Sequence, residues 1–134
     1  KMVRSLTIWI PGQPPTVTAQ QQIITKTGRV VYGKRVTEAR QILEGRLSEH
    51  VPAEPFTGAL CVTAIWCWSR AGKKKSEWKT TRPDLDNLAK MLLDTMTKLC
   101  FWKDDAIVVQ LSLTKIWNQE PGIKITITQL ENLK

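Results

Sequence analysis

Histidine occurs once, at His50, tyrosine once, and cysteine three times, at Cys61, Cys67 and Cys100. With its only histidine between Glu49 and Val51–Pro52, the chain would need a better-placed or additional histidine for a Ser–His–Asp triad, an HExxH zinc site or a two-histidine nuclease centre. His50 reads as a surface residue near a helix end. An odd number of cysteines without CxxC spacing supplies neither a disulfide framework nor a zinc knuckle and points to a reducing cytosol. No apolar run approaches the ~20 residues of a membrane span. The first residues lack the apolar core and small-residue cleavage site of a secretory signal. The expectation is a cytoplasmic protein with no membrane association and no small-molecule cofactor.

Acidic residues are also in short supply: 12 Asp and Glu face 20 Lys and Arg, for a net charge of +8. The excess lies in the first hundred residues; residues 101–134 are balanced, with four of each sign. Such a surplus favours an anionic partner, nucleic acid first, although a merely solubilising surface would show the same balance. With 134 residues and 42% hydrophobic composition, the chain reads as one domain over 1–134. It is long enough to bury roughly 65–70% of its unfolded surface without cross-links.

Hydrophobic periodicity sets the expected elements. Val3–Ile10 alternates as a strand, stopped by Pro11–Pro15, with a polar loop over 16–22. Ile23–Tyr32 reads as a hairpin turning at Lys26–Gly28. Thr37 is placed to cap a helix through Glu49, with Ala39, Ile42, Leu43 and Leu47 as its apolar stripe. Ala59–Trp68 is nearly all apolar and suits a central strand buried on both faces; its Trp66 and Trp68 share one side and read as packing residues. Pro83 stands where the first helical residue is expected, and Leu85, Leu88, Leu92, Leu93, Met96 and Leu99 carry that helix to about Leu99. Ile107–Trp117 alternates as a strand. After a turn at Asn118–Gly122, Ile123–Leu130 is expected to pair back on it as a hairpin. The fold class is α/β of the mixed α+β type: a central mixed sheet with two main helices.

Arg82–Lys90 (RPDLDNLAK) carries the chemistry. Asp84 and Asp86 bracket Leu85, Asn87 follows, and Asp104 and Asp105 come shortly after the helix. Hard cations such as Mg²⁺ take oxygen ligands, commonly one or two carboxylates with water and phosphate. Phosphodiester hydrolysis uses such an ion to activate water, orient the phosphate and stabilise developing charge. Lys90, four residues after Asp86, lies on the same helical face and can offset phosphate charge. The plainer alternatives are an aspartate capping a helix and a surface ion pair between Asp86 and Lys90. A cap needs one acid, yet two are present, and they directly follow a basic run. Asp105 lies past the far end of a helix roughly 22–24 Å long. To join Asp84 and Asp86, the chain must fold back sharply at Phe101–Asp105, or a second subunit must supply the residue.

RPDLDNLAKMLLDTM followed by FWKDDAIVV closely resembles the RusA-type Holliday-junction resolvases, whose pattern is a DLDN–x–x–K helix, an LDAL-like segment matched here by LLDTM with Asp94, and F-W-x-D-D-A-x-V-V entering a strand. The match is dense over residues 82–113. The resemblance implies a homodimeric, Mg²⁺-dependent endonuclease (Mn²⁺ substituting) that cuts four-way DNA junctions symmetrically, with bacterial, phage or prophage origin. By position it implies Asp84, Asp86 and Asp105 as metal ligands and Lys90 in the active site, with Asp104 a further acid; Asn87, beside Asp86, is a possible addition.

Arg70, Lys73, Lys74, Lys75, Lys79 and Arg82 are the expected phosphate contacts. Trp78, set among them, can stack on an unpaired base or pack on the sheet. Two other functions stand against the resolvase: a non-catalytic, structure-selective DNA-binding dimer, and an RNA-binding protein, for which no aromatic RNA-binding motif is present.

Overall fold

A computed structural model describes residues 4–17, 22–24, 26–72 and 76–133. The expected strand start at Val3 and the 18–21 part of the expected loop lie outside these residues. The chain runs β1 (Ser5–Pro11), β2 (Gln22–Ile24), β3 (Val30–Tyr32), α1 (Lys34–Ser48), β4 (Leu60–Trp68), β5 (Glu77–Trp78), α2 (Leu85–Lys98), a 3₁₀ turn (Asp105–Ile107), β6 (Val108–Trp117) and β7 (Gly122–Gln129). β2 and β3 form the expected hairpin. The other strands form a five-stranded mixed sheet in the order β1-β7-β4-β6-β5. This is the α+β architecture read from the sequence.

β4 takes the centre because it has the fewest polar side chains to leave in water. It pairs antiparallel with β7 and parallel with β6. Its Leu60, Val62, Ala64, Trp66 and Trp68 are buried, as are Ile8 and Ile10 of β1 and Ile123, Ile125 and Ile127 of β7. The register aligns Trp66 with Ile123, and Ile123 with Ile10, so these residues make one apolar face. Leu43 and Leu47 of α1 and Leu88, Met91, Leu92 and Met96 of α2 complete the core. The other face of β4 is only half-buried at Cys61, Thr63 and Ile65, so burial on both faces does not hold there.

Four further sequence expectations change. β6 and β7 are not a hairpin: β4 lies between them, and residues 118–121 step across its end, where the Asn118 N–H donates to the Trp68 carbonyl at 2.7 Å. A strand as apolar as β4 gains more from two neighbours than β6, with Gln110, Ser112 and Thr114, would gain from β7. α1 begins one turn before Thr37; Gly33 is its extended N-cap residue, and the Thr37 hydroxyl donates back to the Gly33 carbonyl. Ile42, assigned to the apolar stripe, is 54% exposed. Pro83 precedes the N-cap of α2 instead of opening the helix.

Candidate metal and nucleic-acid site

The approach to α2 is built on two lysines. β5 pairs with the end of β6 through Trp78↔Ile116 and Glu77↔Trp117, and the Lys79 N–H continues the ladder to the Lys115 carbonyl at 3.1 Å. The Lys79 side chain turns inward and is only 7% exposed. Its Nζ donates to Thr81 Oγ1 and to the Arg82 carbonyl, both at 2.5 Å, and lies over the rings of Trp117 and Trp68 at 4.7 and 5.1 Å. Burial, then the charges of Lys115 and Arg70, hold its pKa below the usual lysine range. Lys115 Nζ donates to the carbonyls of Thr81 and Pro83, both at 2.7 Å. Lys79 is therefore a buried structural cation, which corrects its assignment as a DNA contact.

Asp84 is the N-cap residue of α2, in extended conformation (φ −75°, ψ 145°). Its carbonyl accepts the Leu88 N–H at 3.0 Å, but its carboxylate makes no capping hydrogen bond. Asp86 follows in the first helical turn. Both residues are exposed, and among the described residues neither carboxylate has a hydrogen-bond or ion-pair partner. Asp84 thus occupies the capping position without acting as a side-chain cap. Asp86 and Lys90 do not pair either: Lys90 Nζ lies 3.8 Å from Asp94, which is also 3.8 Å from Arg40 of α1. Asn87 is half-buried beside Asp86.

The second acidic pair sits past the other end of α2. Cys100 adopts positive φ (68°), and the Phe101 N–H returns to the Met96 carbonyl at 3.0 Å, closing the helix. Phe101 and Trp102 are fully buried. Trp102 Nε1 donates to Thr97 Oγ1 at 2.7 Å, and the Phe56 N–H donates to the Phe101 carbonyl at 2.7 Å. These anchors hold the loop carrying Asp104 and Asp105. Asp104 caps the 3₁₀ turn, its Oδ1 accepting from the Ala106 N–H at 2.9 Å. Asp105 is half-buried and has no partner for its carboxylate among the described residues.

From this loop β6 runs back toward the start of α2, where Lys115 meets Pro83. Residues 108–115 span about 23 Å as a strand, so Asp105 and Asp84 lie at opposite ends of β6. Among the described residues no three His, Cys, Asp or Glu side chains converge to hold an ion. The chain brings Asp84 and Asp86 to one helix end and leaves Asp105 apart; the sharp fold-back at Phe101–Asp105 that would unite them does not occur.

Trp78 is 77% exposed, which removes packing on the sheet as its role. Arg70 lies over the Trp117 ring at 4.7 Å, and Arg70 and Arg82 are exposed. Lys73, Lys74 and Lys75 lie outside the described residues. Lys115 was not singled out from the sequence, although a signal existed: it continues the apolar phase of Leu111, Leu113 and Trp117, where a charge is out of place. No helix among the described residues is long and apolar enough to cross a membrane.

Residues 11–128 match the family Endodeoxyribonuclease RusA. The chain is 34% identical over 119 residues to the crossover junction endodeoxyribonuclease rusA of Lactococcus phage r1t, an alignment covering 87% of this chain and 91% of the relative. It is 44% identical over 52 residues to the crossover junction endodeoxyribonuclease RusA of Escherichia coli strain K12, covering 38% and 43% of the two chains.

Proposed function

The chain belongs to the RusA endodeoxyribonuclease family, and on that premise we propose that it is a homodimeric, Mg²⁺-dependent nuclease that cuts four-way DNA junctions by paired incisions. The observation that carries this reading is the pair of exposed carboxylates, Asp84 and Asp86, at one helix end with no partner among the described residues to neutralise them. Two like charges at one helix end gain from a shared cation, and their hard oxygens suit Mg²⁺ or Mn²⁺. When bound, such an ion activates water and stabilises charge on the phosphate oxygens.

A third carboxylate comes from Asp105 of the partner subunit. Among the described residues, only β5 and the Lys79 N–H that continues its ladder bond to the outer edge of β6, at Lys115, Ile116 and Trp117. The rest of that edge is open, with Val109 59% and Leu111 42% exposed, a surface suited to covering by another strand. Antiparallel pairing of two β6 edges about a two-fold axis sets the start of one strand against the end of the other. The partner's Asp105 then approaches the Lys115–Pro83 end, where Asp84 begins α2. A two-fold enzyme also matches the symmetry of paired cuts.

The remaining side chains serve the polyanion. Lys90, on a mostly exposed stem, offsets charge on the scissile phosphate. Arg70 and Arg82 contact backbone phosphates, and Trp78 stacks on a base unpaired at the crossover. A synthetic mobile four-way junction tests the reading. Wild type should cut it in Mg²⁺ and not in EDTA, and Asp84→Asn should bind without cutting. Cleavage that persists in EDTA or in Asp84→Asn would refute it; binding without cleavage by wild type would favour a non-catalytic junction-binding dimer.

A further inference from the structure

Lys115 lies in the wrong phase for a charged side chain. Its register partner on β4 is the buried Trp66, and its same-face neighbours along β6 are Leu113 and Trp117. Drawing an ammonium toward the core carries a desolvation cost unless acceptors meet it. Here they do, and all belong to one short segment. Lys115 takes the carbonyls of Thr81 and Pro83, while Lys79 takes the Thr81 hydroxyl and the Arg82 carbonyl. Two cations that repel each other are thus held together by the three residues immediately before Asp84.

This matters because, among the described residues, the carboxylates of Asp84 and Asp86 have no hydrogen bonds to set their direction. Their placement depends on the backbone that carries them, and the Pro83 carbonyl belongs to the peptide that joins Asp84. Resting on the nuclease reading above, we propose that Lys115 is a positioning residue for the metal site: by pinning the Thr81 and Pro83 carbonyls it fixes the main chain that presents Asp84 and Asp86. Lys79 braces the same segment from the β5 side. Lys115 touches neither DNA nor ion; it acts through the turn. Groups that orient metal ligands in this way carry roughly 10–100-fold in metal affinity.

The test compares wild type, Lys115→Met, Lys115→Arg and Lys124→Met, the last removing an exposed lysine of β7 as a charge control. Mn²⁺ binding to the full-length, DNA-free protein is read from the electron paramagnetic resonance signal of free Mn²⁺, and the Mn²⁺ dependence of junction cleavage is measured beside it. Lys115→Met should bind Mn²⁺ at least about tenfold more weakly and shift half-maximal cleavage by the same factor. Its junction binding in EDTA should match that of Lys124→Met. Lys115→Arg, which can reach the same carbonyls, should recover most of the affinity. Wild-type Mn²⁺ affinity in Lys115→Met overturns the proposal, as does an equal loss in Lys124→Met. If Lys115→Met does not fold, Lys115→Gln, uncharged and on a shorter stem, carries the same comparison: weakened Mn²⁺ binding supports the proposal and unchanged binding overturns it. Failure of wild type itself to bind Mn²⁺ or cut the junction counts instead against the nuclease reading.

Discussion

Lys90 Nζ lies 3.8 Å from the carboxylate of Asp94, one turn further along α2, and 60% of its side chain is exposed. A pair this exposed contributes no more than about 1 kcal/mol, so a phosphate arriving beside Asp86 can draw the ammonium away at little cost. Lys90→Met should lower cleavage by about 10²-fold while changing the unfolding free energy by less than about 1 kcal/mol. Asp94→Asn, which removes the resting partner that Lys90 shares with Arg40, should leave cleavage near wild type. Single-turnover cleavage and urea denaturation check both; full activity in Lys90→Met would remove it from the chemistry.

Trp78 offers a large aromatic surface to solvent on a two-residue strand. Trp78→Ala should weaken junction binding by about 1–3 kcal/mol and leave stability within about 0.5 kcal/mol of wild type. Anisotropy titrations with a junction and with plain duplex check this. The loss should be larger for the junction, which exposes unpaired or easily unstacked bases at its centre.

Lys79 and Arg82 separate a buried cation from an exposed one. Arg82→Ala should reduce the salt slope of DNA binding by about one contact. Lys79→Met should leave that slope unchanged and act on stability. Burial and the neighbouring cations lower the folded-state pKa of Lys79, so the unfolded chain holds this proton more tightly. The penalty for a charged Lys79 is present at neutral pH. It is relieved as pH rises through the lowered value toward the ~10.4 of the unfolded lysine. Wild type should therefore gain stability relative to Lys79→Met over that alkaline window. Denaturant titrations across the range test the sign, and a falling difference would contradict it.

The open edge of β6 carries the expected dimer. Leu111→Arg places a charge at the middle of the pairing surface, where burying it unpaired is costly. Sedimentation should show a folded monomer that no longer cuts junctions. A stable dimer from this variant would move the interface elsewhere on the molecule.

How much of this was legible in the sequence follows from what each residue type can announce. β4 read as the central strand because Ala59–Trp68, ten residues with almost no polar side chain, have nowhere else to go. The acids at the start of α2 stood out in the sequence because two carboxylates and an asparagine exceed the needs of a cap; in the structure the Asp84 carboxylate makes no capping hydrogen bond. The order of β6 and β7 was not legible. Their short connection reads as a hairpin, and only the demand of β4 for two neighbours, a tertiary effect, inserts it between them. Lys79 misled because a lysine in a basic run carries no local mark of burial; its acceptors on Thr81 and Arg82 and the Trp68 and Trp117 rings become neighbours only after folding. Asp105 was found by motif, but its distance from Asp84 follows from β6 running the length of the sheet.

The shared site is tested most directly by mixing two inactive chains. In a dimer of one Asp84→Asn chain and one Asp105→Asn chain, a site built across the two-fold axis has both changes at one position and none at the other. The mixed dimer, separated from its parents by differential tags, should nick one strand of a four-way junction in Mg²⁺, whereas each parent homodimer does nothing. A mixed dimer as inert as its parents would contradict a site that joins Asp84 and Asp86 with the partner's Asp105.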